Sequence, residues 1–289
     1  MAPYARADHR RAMAQLLNTG PPFLLLMAAL LCGAKSYPAL TLPLAVPTAL
    51  LLVRLFAIQH DCGHGSFFAS RRANDLLGRA LGVLTLTPYA FWRKSHAIHH
   101  TNSGNLDRRG TGEVRTLTVR EYHSLSLSQR LRYRILGTNA ALAAIVMLML
   151  LTVGARAFML GYLPVILLAA STGIWLFYIQ HQFEHSYWAS GPDWDFHAAA
   201  LKGSSFYDLP AVLHWQTGYI GFHHIHHDCS KIPNYGLRDC FDQNPEFRDA
   251  RRLTLLDSLK CLRLSLWDEE RQLLVSFRDA FRRQRASEG

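Results

Sequence analysis

The 289-residue sequence predicts an all-α integral membrane protein: about four transmembrane helices and a cytosolic helical cap that holds a histidine-rich di-metal site, all in a single domain. Three observations predict it. Hydrophobic residues make up 49% of the chain and charged ones only 18%, against about 25% charged in ordinary soluble proteins. Apolar runs recur at the length a bilayer requires. The 15 histidines gather into clusters whose members sit three or four residues apart.

The apolar runs come first. A spanning helix needs about 20 mostly apolar residues. Leu16–Ala34, Tyr37–Ile58, Ile135–Val153 and Phe158–Ile179 qualify. Pro21 and Pro22 interrupt the first. Arg54 lies near the end of the second, where its charge is expected to snorkel to the interface. A fifth stretch, Leu76–Phe91, is shorter and carries Arg79, so it reads as an interfacial or re-entrant helix. A soluble bundle that buries all these runs is the weaker alternative. No cleavable signal pattern, internal repeat or low-complexity tract is found.

Loop charge sets the orientation, because basic residues stay in the cytosol. Lys35 is the one basic residue between the first and second spans, and Arg156 the one between the third and fourth. The other flanks are rich in arginine: Arg6, Arg10 and Arg11 before the first span, and Arg71, Arg72, Arg93, Arg108, Arg109, Arg130, Arg132 and Arg134 between the second and third. Both termini are therefore expected in the cytosol, in a bacterial inner membrane. The five cysteines lack zinc-ribbon spacing and read as reduced thiols, which agrees. The net charge of +10 is explained by inner-leaflet contact, so nucleic-acid binding is not expected.

Four clusters then emerge. His60 and His64 are four apart in HDCGH. His96, His99 and His100 form HAIHH. His181 and His185 are four apart in HQFEH. His223, His226 and His227 repeat the triplet in HHIHH, with His224 outside the pattern. On a helix such neighbours share a face, with β-carbons about 5–6 Å apart. The two pairs follow at once on the second and fourth spans, both of which run toward the cytosol. All four clusters can therefore meet at one depth. A structural zinc site takes four ligands; eight or more imidazoles suit two ions. Imidazole serves zinc, copper, nickel and iron alike, and the zinc-protease motif His-Glu-x-x-His is absent. A site at the membrane surface suits a long apolar substrate, for which iron activating dioxygen fits best.

The order of the clusters, with spans between them, resembles the membrane fatty acid desaturases. HDCGHGSFF, WRKSHAIHHTNSGNLDRRGTGEVRTLTVREY, YIQHQFEHSYW, GSSFYDLP and GFHHIHHDCSKIPNY are similar to the bacterial and cyanobacterial acyl-lipid, omega-6-type branch, from about Leu55 to Phe277. The resemblance implies a non-heme di-iron centre, dioxygen as co-substrate, and a double bond placed in a fatty acyl chain, lipid-linked or thioester. His60, His64, His96, His99, His100, His223, His226 and His227 become the catalytic iron ligands. A further ligand comes from the last membrane helix, His181 or His185, with His181 favoured. Asp61, Glu184 and Asp228 adjoin ligands and are either acceptors that orient imidazoles or solvated carboxylates. His224 is expected beside the ligands or at the surface, and His214 as a core or surface histidine; His9, His123 and His197 receive no role. Trp92, Tyr187, Trp188 and Trp194 are expected as interfacial anchors. The segment from Pro245 reads as a surface or cap-packing helix with a stripe of Leu253, Leu256, Leu259 and Leu262.

Making a double bond with dioxygen consumes two external electrons. The sequence offers no iron–sulfur cysteine run, no Gly-x-Gly-x-x-Gly turn and no His-Pro-Gly-Gly heme motif, so a separate donor is expected. Basic charge and the resemblance both point to a ferredoxin. The alternatives are a related histidine-box hydroxylase or ketolase, and a histidine-rich metal transporter. The last is disfavoured by spans nearly free of Asp, Glu and His.

Overall fold

Long apolar helices carry the histidines to one end of a bundle. The computed structural model describes residues 1–34, 36–110, 112, 116–134 and 151–287. Helix α1 (His9–Leu17) starts at Asp8, whose carboxylate accepts from the N–H groups of Arg10 and Arg11 and so satisfies two orphan donors. After Asn18 and Thr19, α2 (Gly20–Gly33) begins with Pro21 and Pro22 in its first turn, where proline loses no hydrogen bond. Helix α3 (Pro38–His64) runs through His60 and His64 rather than stopping at Ile58. It ends where Gly65 turns left-handed, at φ 66°.

The expected interfacial stretch divides in two. Helix α4 (Arg71–Leu84), capped by Ser70, and α5 (Tyr89–Asn102) are separated by a turn in which Leu86 takes φ 53° and Pro88 precedes the new helix. Leu76, Val83 and Phe91 are exposed on these helices, as an interfacial pair requires. Strand β1 (Leu117–Thr118), α6 (Val119–Ser124) and α7 (Leu127–Arg134) follow. The predicted third span lies outside the described residues apart from 151–153. Helix α8 (Ala155–His181) contains a π turn at Phe158–Tyr162, a local widening that packs on α2 and α3. Among the described residues, His9–Gly33, α3 and α8 are long and apolar enough to cross a membrane. Leu52, Leu55, Ile58, Val165 and Ile179 form their shared core.

Arg54 does not snorkel. It is 3% exposed, its Nε donates to Thr19 Oγ1 at 3.1 Å, and its guanidinium lies 4.0 Å from the Trp215 ring centroid. The break between α1 and α2 supplies the hydroxyl that holds it inside.

The remaining elements build a mostly helical cap: α9 (Phe196–Lys202), β2 (Phe206–Tyr207), α10 (Ala211–Gln216), α11 (His223–Asp228), α12 (Asn234–Gln243), β3 (Arg252–Leu253), α13 (Leu255–Cys261), β4 (Leu264–Asp268), β5 (Leu273–Ser276) and α14 (Phe277–Ser287). Two small sheets interrupt it. β2 pairs parallel with β3, and β4 pairs parallel with β1 and antiparallel with β5, Trp267 opposite Leu274. The segment from Pro245 is therefore not one helix. Thr254 caps a fresh helix start, and Asp268 accepts from the N–H groups of Glu270 and Arg271 to turn β4 back into β5. Leu266, Leu273 and Val275 then bury against Tyr122, a tertiary gain that outweighs helical periodicity. Leu253 is buried in β3, while Leu256, Leu259 and Leu262 are exposed.

Candidate metal centre

The last turns of α3 and α8, together with α5 and α11, bring nine imidazoles together. They form two groups. His60, His64, His96, His100 and His226 make the first; His99, His181, His223 and His227 make the second. Within each group one ligand atom per residue lies within 4.8 Å of the others. Eight of the nine are buried and His64 is half-buried. Each triplet splits between groups: His96 and His100, four apart, serve one, and His99 the other. A helix of 3.6 residues per turn points i and i+4 alike and turns i+3 aside by about 60°.

Ring nitrogens face each other directly. Nε2 of His96 is 2.9 Å from Nε2 of His60 and 3.1 Å from that of His100, which in turn is 3.1 Å from His226 Nε2. In the second group His181 Nε2 is 2.9 Å from His223 Nε2 and 3.2 Å from His99 Nε2. Nitrogens held about 2.1 Å from an ion at right angles would be about 3.0 Å apart. Nε2 of His64 and of His227 is buried without a hydrogen-bond partner among the described residues. An unpaired buried polar atom costs about 1–3 kcal/mol, and a metal bond would remove that cost. The donor set fits two metal ions.

The outer nitrogens are held from behind. His60 Nδ1 faces Asp61 Oδ1 at 3.3 Å, and Asp61 Oδ2 accepts from Asn234 N and Nδ2 at 2.6 and 2.8 Å. His181 Nδ1 faces the Gly203 carbonyl at 3.2 Å. These contacts turn Nε2 inward. Burial, reinforced by neighbouring imidazoles, holds His96, His100, His223, His226 and His227 well below the usual histidine range, and His99 at about 3. Neutral imidazole is the form that binds metal.

His185 is exposed and belongs to neither group. His224 is not at the surface: it is fully buried beside Phe206, Phe241 and Phe247, and burial pushes it down to about 4. His214 is a core histidine stacked on Phe222. Asp228 orients no clustered imidazole; it pairs with His197, Nδ1 to Oδ1 at 2.6 Å. Glu184 is exposed. Of the aromatic residues expected as interfacial anchors, Trp188 is buried and Trp92, Tyr187 and Trp194 are half-buried, each with a partner inside the protein. Trp92 stacks on His96 at 4.6 Å and 16°. A Cβ at Gly63 would come within 2.7 Å of the Trp92 ring, so the glycine of HDCGH makes that approach possible. Trp188 is buried with Trp267 and Leu274. Trp194 Nε1 donates to the Ser103 carbonyl, and Tyr187 Oη donates to the Asp193 carbonyl. Sequence reasoning also passed over Phe177, 5.2 Å from His99 and 5.4 Å from His181. Trp92 and Phe177 each lie four residues before a clustered histidine, a spacing that places them on its face.

Comparison with known proteins agrees with this geometry. Residues 36–257 match the family model described as "Fatty acid desaturase". A fatty acid desaturase of Bacillus subtilis (strain 168) is 41% identical over 314 aligned positions, covering 96% of this chain and 89% of that protein. Shorter similarities cover 27% of this chain and about a fifth of the relative. One is an endoplasmic-reticulum omega-3 fatty acid desaturase of Vigna radiata var. radiata, 41% identical. Another is a protein of Nostoc sp. (strain 36) named sn-1 acyl-lipid omega-3 desaturase (ferredoxin), 39% identical.

Proposed function

This chain belongs to the fatty acid desaturase family, and from that premise we propose that it is a membrane-bound, non-heme di-iron desaturase of lipid-linked acyl chains. The observation that carries the reading is the division of nine converging imidazoles into two groups. His60, His64, His96, His100 and His226 hold one iron; His99, His181, His223 and His227 hold the other. Two bound irons would supply dioxygen activation strong enough to remove hydrogen from adjacent unactivated methylenes. The chain's own groups do the rest. Asp61 and the Gly203 carbonyl fix the tautomers of His60 and His181, each presenting an Nε2 lone pair. Burial keeps the imidazoles neutral and water away. Trp92 and Phe177 wall the two groups with apolar rings, which hold ligand rotamers by packing.

Electrons come from a separate carrier, an acidic ferredoxin drawn to the basic face; a relative carries ferredoxin in its name. Both termini and the histidine groups lie in the cytosol. The test is metal analysis of iron-replete protein together with gas chromatography of lipids from an expressing host. Close to two irons per chain and a new alkene are expected. One zinc and no iron would overturn the di-iron assignment, and a hydroxylated product would identify a hydroxylase. For orientation, a membrane-impermeant thiol probe is expected to label a cysteine engineered beside Lys35 or Arg156 from outside, and none beside Ser287.

A further inference from the structure

We propose that a cleft between α1 and α12, with Arg54 in its lining, binds the phosphate group of an anionic lipid headgroup. The cleft has a volume of about 480 Å³ and is bordered by Arg11, Asn18, Arg54, Tyr219 and Arg238. Three guanidiniums and one carboxylate line it, and that carboxylate, Asp239, is already paired with Arg11 at 2.8 Å. Arg238 reaches Asp242 at 3.6 Å. Arg54 has no acidic partner among the described residues.

Its isolation is the central observation. Arg54 is 97% buried; among the described residues its hydrogen bond runs from Nε to Thr19, and Nη1 has no acceptor. A buried cation is costly unless an anion compensates it. The Trp215 face, 4.0 Å from the guanidinium, returns part of that and leaves Nη1 without an acceptor among the described residues. A planar fork with free N–H groups is the donor that matches phosphate oxygens. Two further features belong to the same cleft. Gln15, 4% exposed, leaves its Oε1 unpaired. Tyr219 is held at φ 57°, a strained backbone for a tyrosine, of the kind that persists where surroundings impose it.

The position favours a lipid. Leu17 is exposed on α1, which lines the cleft with Arg11 and Gln15, and Leu24 and Leu25 are exposed on α2, which follows it; His9–Gly33 is apolar enough to cross a membrane. Arg54 precedes His60 by six residues on α3, a rise of about 9 Å. A lipid held there lies against α3, the helix whose last turn carries His60 and His64, which the desaturase reading makes iron ligands. This last step rests on the desaturase reading; the binding itself does not.

The test uses the full, iron-replete protein in neutral detergent. Soluble dihexanoyl phosphatidylglycerol, inorganic phosphate and uncharged dihexanoyl glycerol are titrated while the thermal midpoint is followed. The phospholipid is expected to raise the midpoint of the wild-type chain, and the uncharged lipid to leave it. Arg54→Met removes the buried charge without leaving one unpaired, and is expected to abolish the shift with iron content unchanged. Arg238→Gln, at a half-exposed rim position, keeps the fold and is expected to weaken binding about tenfold, the equivalent of 1.4 kcal/mol. If inorganic phosphate alone gives an Arg54-dependent shift as large as the lipid's, the phosphate site stands and its source is the free ion. An equal phospholipid shift in wild type and both variants, or none in wild type, would overturn the proposal. Iron content in the same samples reports on the di-iron reading separately.

Discussion

The two histidine groups are fed by the same two cap helices and differ in the third. α5 and α11 contribute to both, while α3 supplies His60 and His64 to one and α8 supplies His181 to the other. Behind His60 stands a carboxylate, Asp61, itself fixed by Asn234. Behind His181 stands a neutral carbonyl, that of Gly203. A carboxylate makes its imidazole the stronger electron donor. The five-histidine group therefore has both more imidazoles and one that a charged acceptor backs. Shared helices couple the groups in space; the private helices make them unequal.

The largest expected effect comes from breaking one group and leaving the other. His226→Ala removes a ligand from the first group and His227→Ala from the second. Each is expected to abolish desaturation and to lower the iron content from two per chain toward one. Elemental analysis alongside product chromatography reads this. Full activity in either variant would remove that residue from the ligand set.

Acid challenges both groups at once. Burial holds His99 at about 3 in the folded chain, whereas a histidine in the unfolded chain takes its proton near 6.5. Below pH 6.5 the unfolded state therefore binds a proton that the folded state refuses, so stability falls as pH drops from 6.5 toward 3. Above 6.5 this contribution is constant. His96, His100, His223, His226 and His227 are displaced in the same direction. Between pH 7 and pH 5 the thermal midpoint is expected to drop and iron to be released. A midpoint that is flat or rises over that range would contradict neutral, buried imidazoles.

Asp61→Asn sharpens the asymmetry. It keeps an acceptor for Asn234 Nδ2 while removing the charge behind His60. Loss of such a partner weakens metal binding about 10–100-fold. In a chelator titration one iron is expected to leave earlier and the other to leave as before. A parallel loss of both would show that the groups are not independently supported.

Much of this was legible because helices make spacing into geometry. The i, i+4 pairs His60–His64, His96–His100 and His223–His227 each lie within a helix and each falls within one group, while the odd members of the triplets, His99 and His226, cross to the other. Apolar length identified α3 and α8. What escaped depends on contacts distant in sequence. Asp228 adjoins His227, yet its acceptor is used by His197, 31 positions away. Trp92 resembles a membrane anchor in composition, and only the approach of α3 at Gly63 turns it against His96. The strands after Leu264 form because β1, over a hundred residues earlier, offers them an edge.

Trp92→Phe probes that packing and is expected to matter less. The stack on His96 is worth about 0.5–1.5 kcal/mol beyond area, and phenylalanine retains part of it. A few-fold fall in turnover at unchanged iron content is expected. Iron loss as large as that of His226→Ala would mean that Trp92 holds the ligand rather than walls it.

The smallest expected effect separates two histidines that look equivalent in HQFEH. Four residues separate His181 from His185, as four separate His60 from His64. The spacing aligns two side chains only while the helix continues. α3 extends through His64 before Gly65 ends it, but α8 stops at His181, where Gln182 leaves the helical region at φ −105° and ψ 71°. The chain beyond turns away, burying Phe183 and leaving His185 exposed. His185→Ala is therefore expected to retain two irons and near-wild-type desaturation, while His181→Ala loses the iron of the four-histidine group. Loss of iron in the His185 variant would require α8 to extend a further turn when metal binds, and would move the boundary between the two private helices.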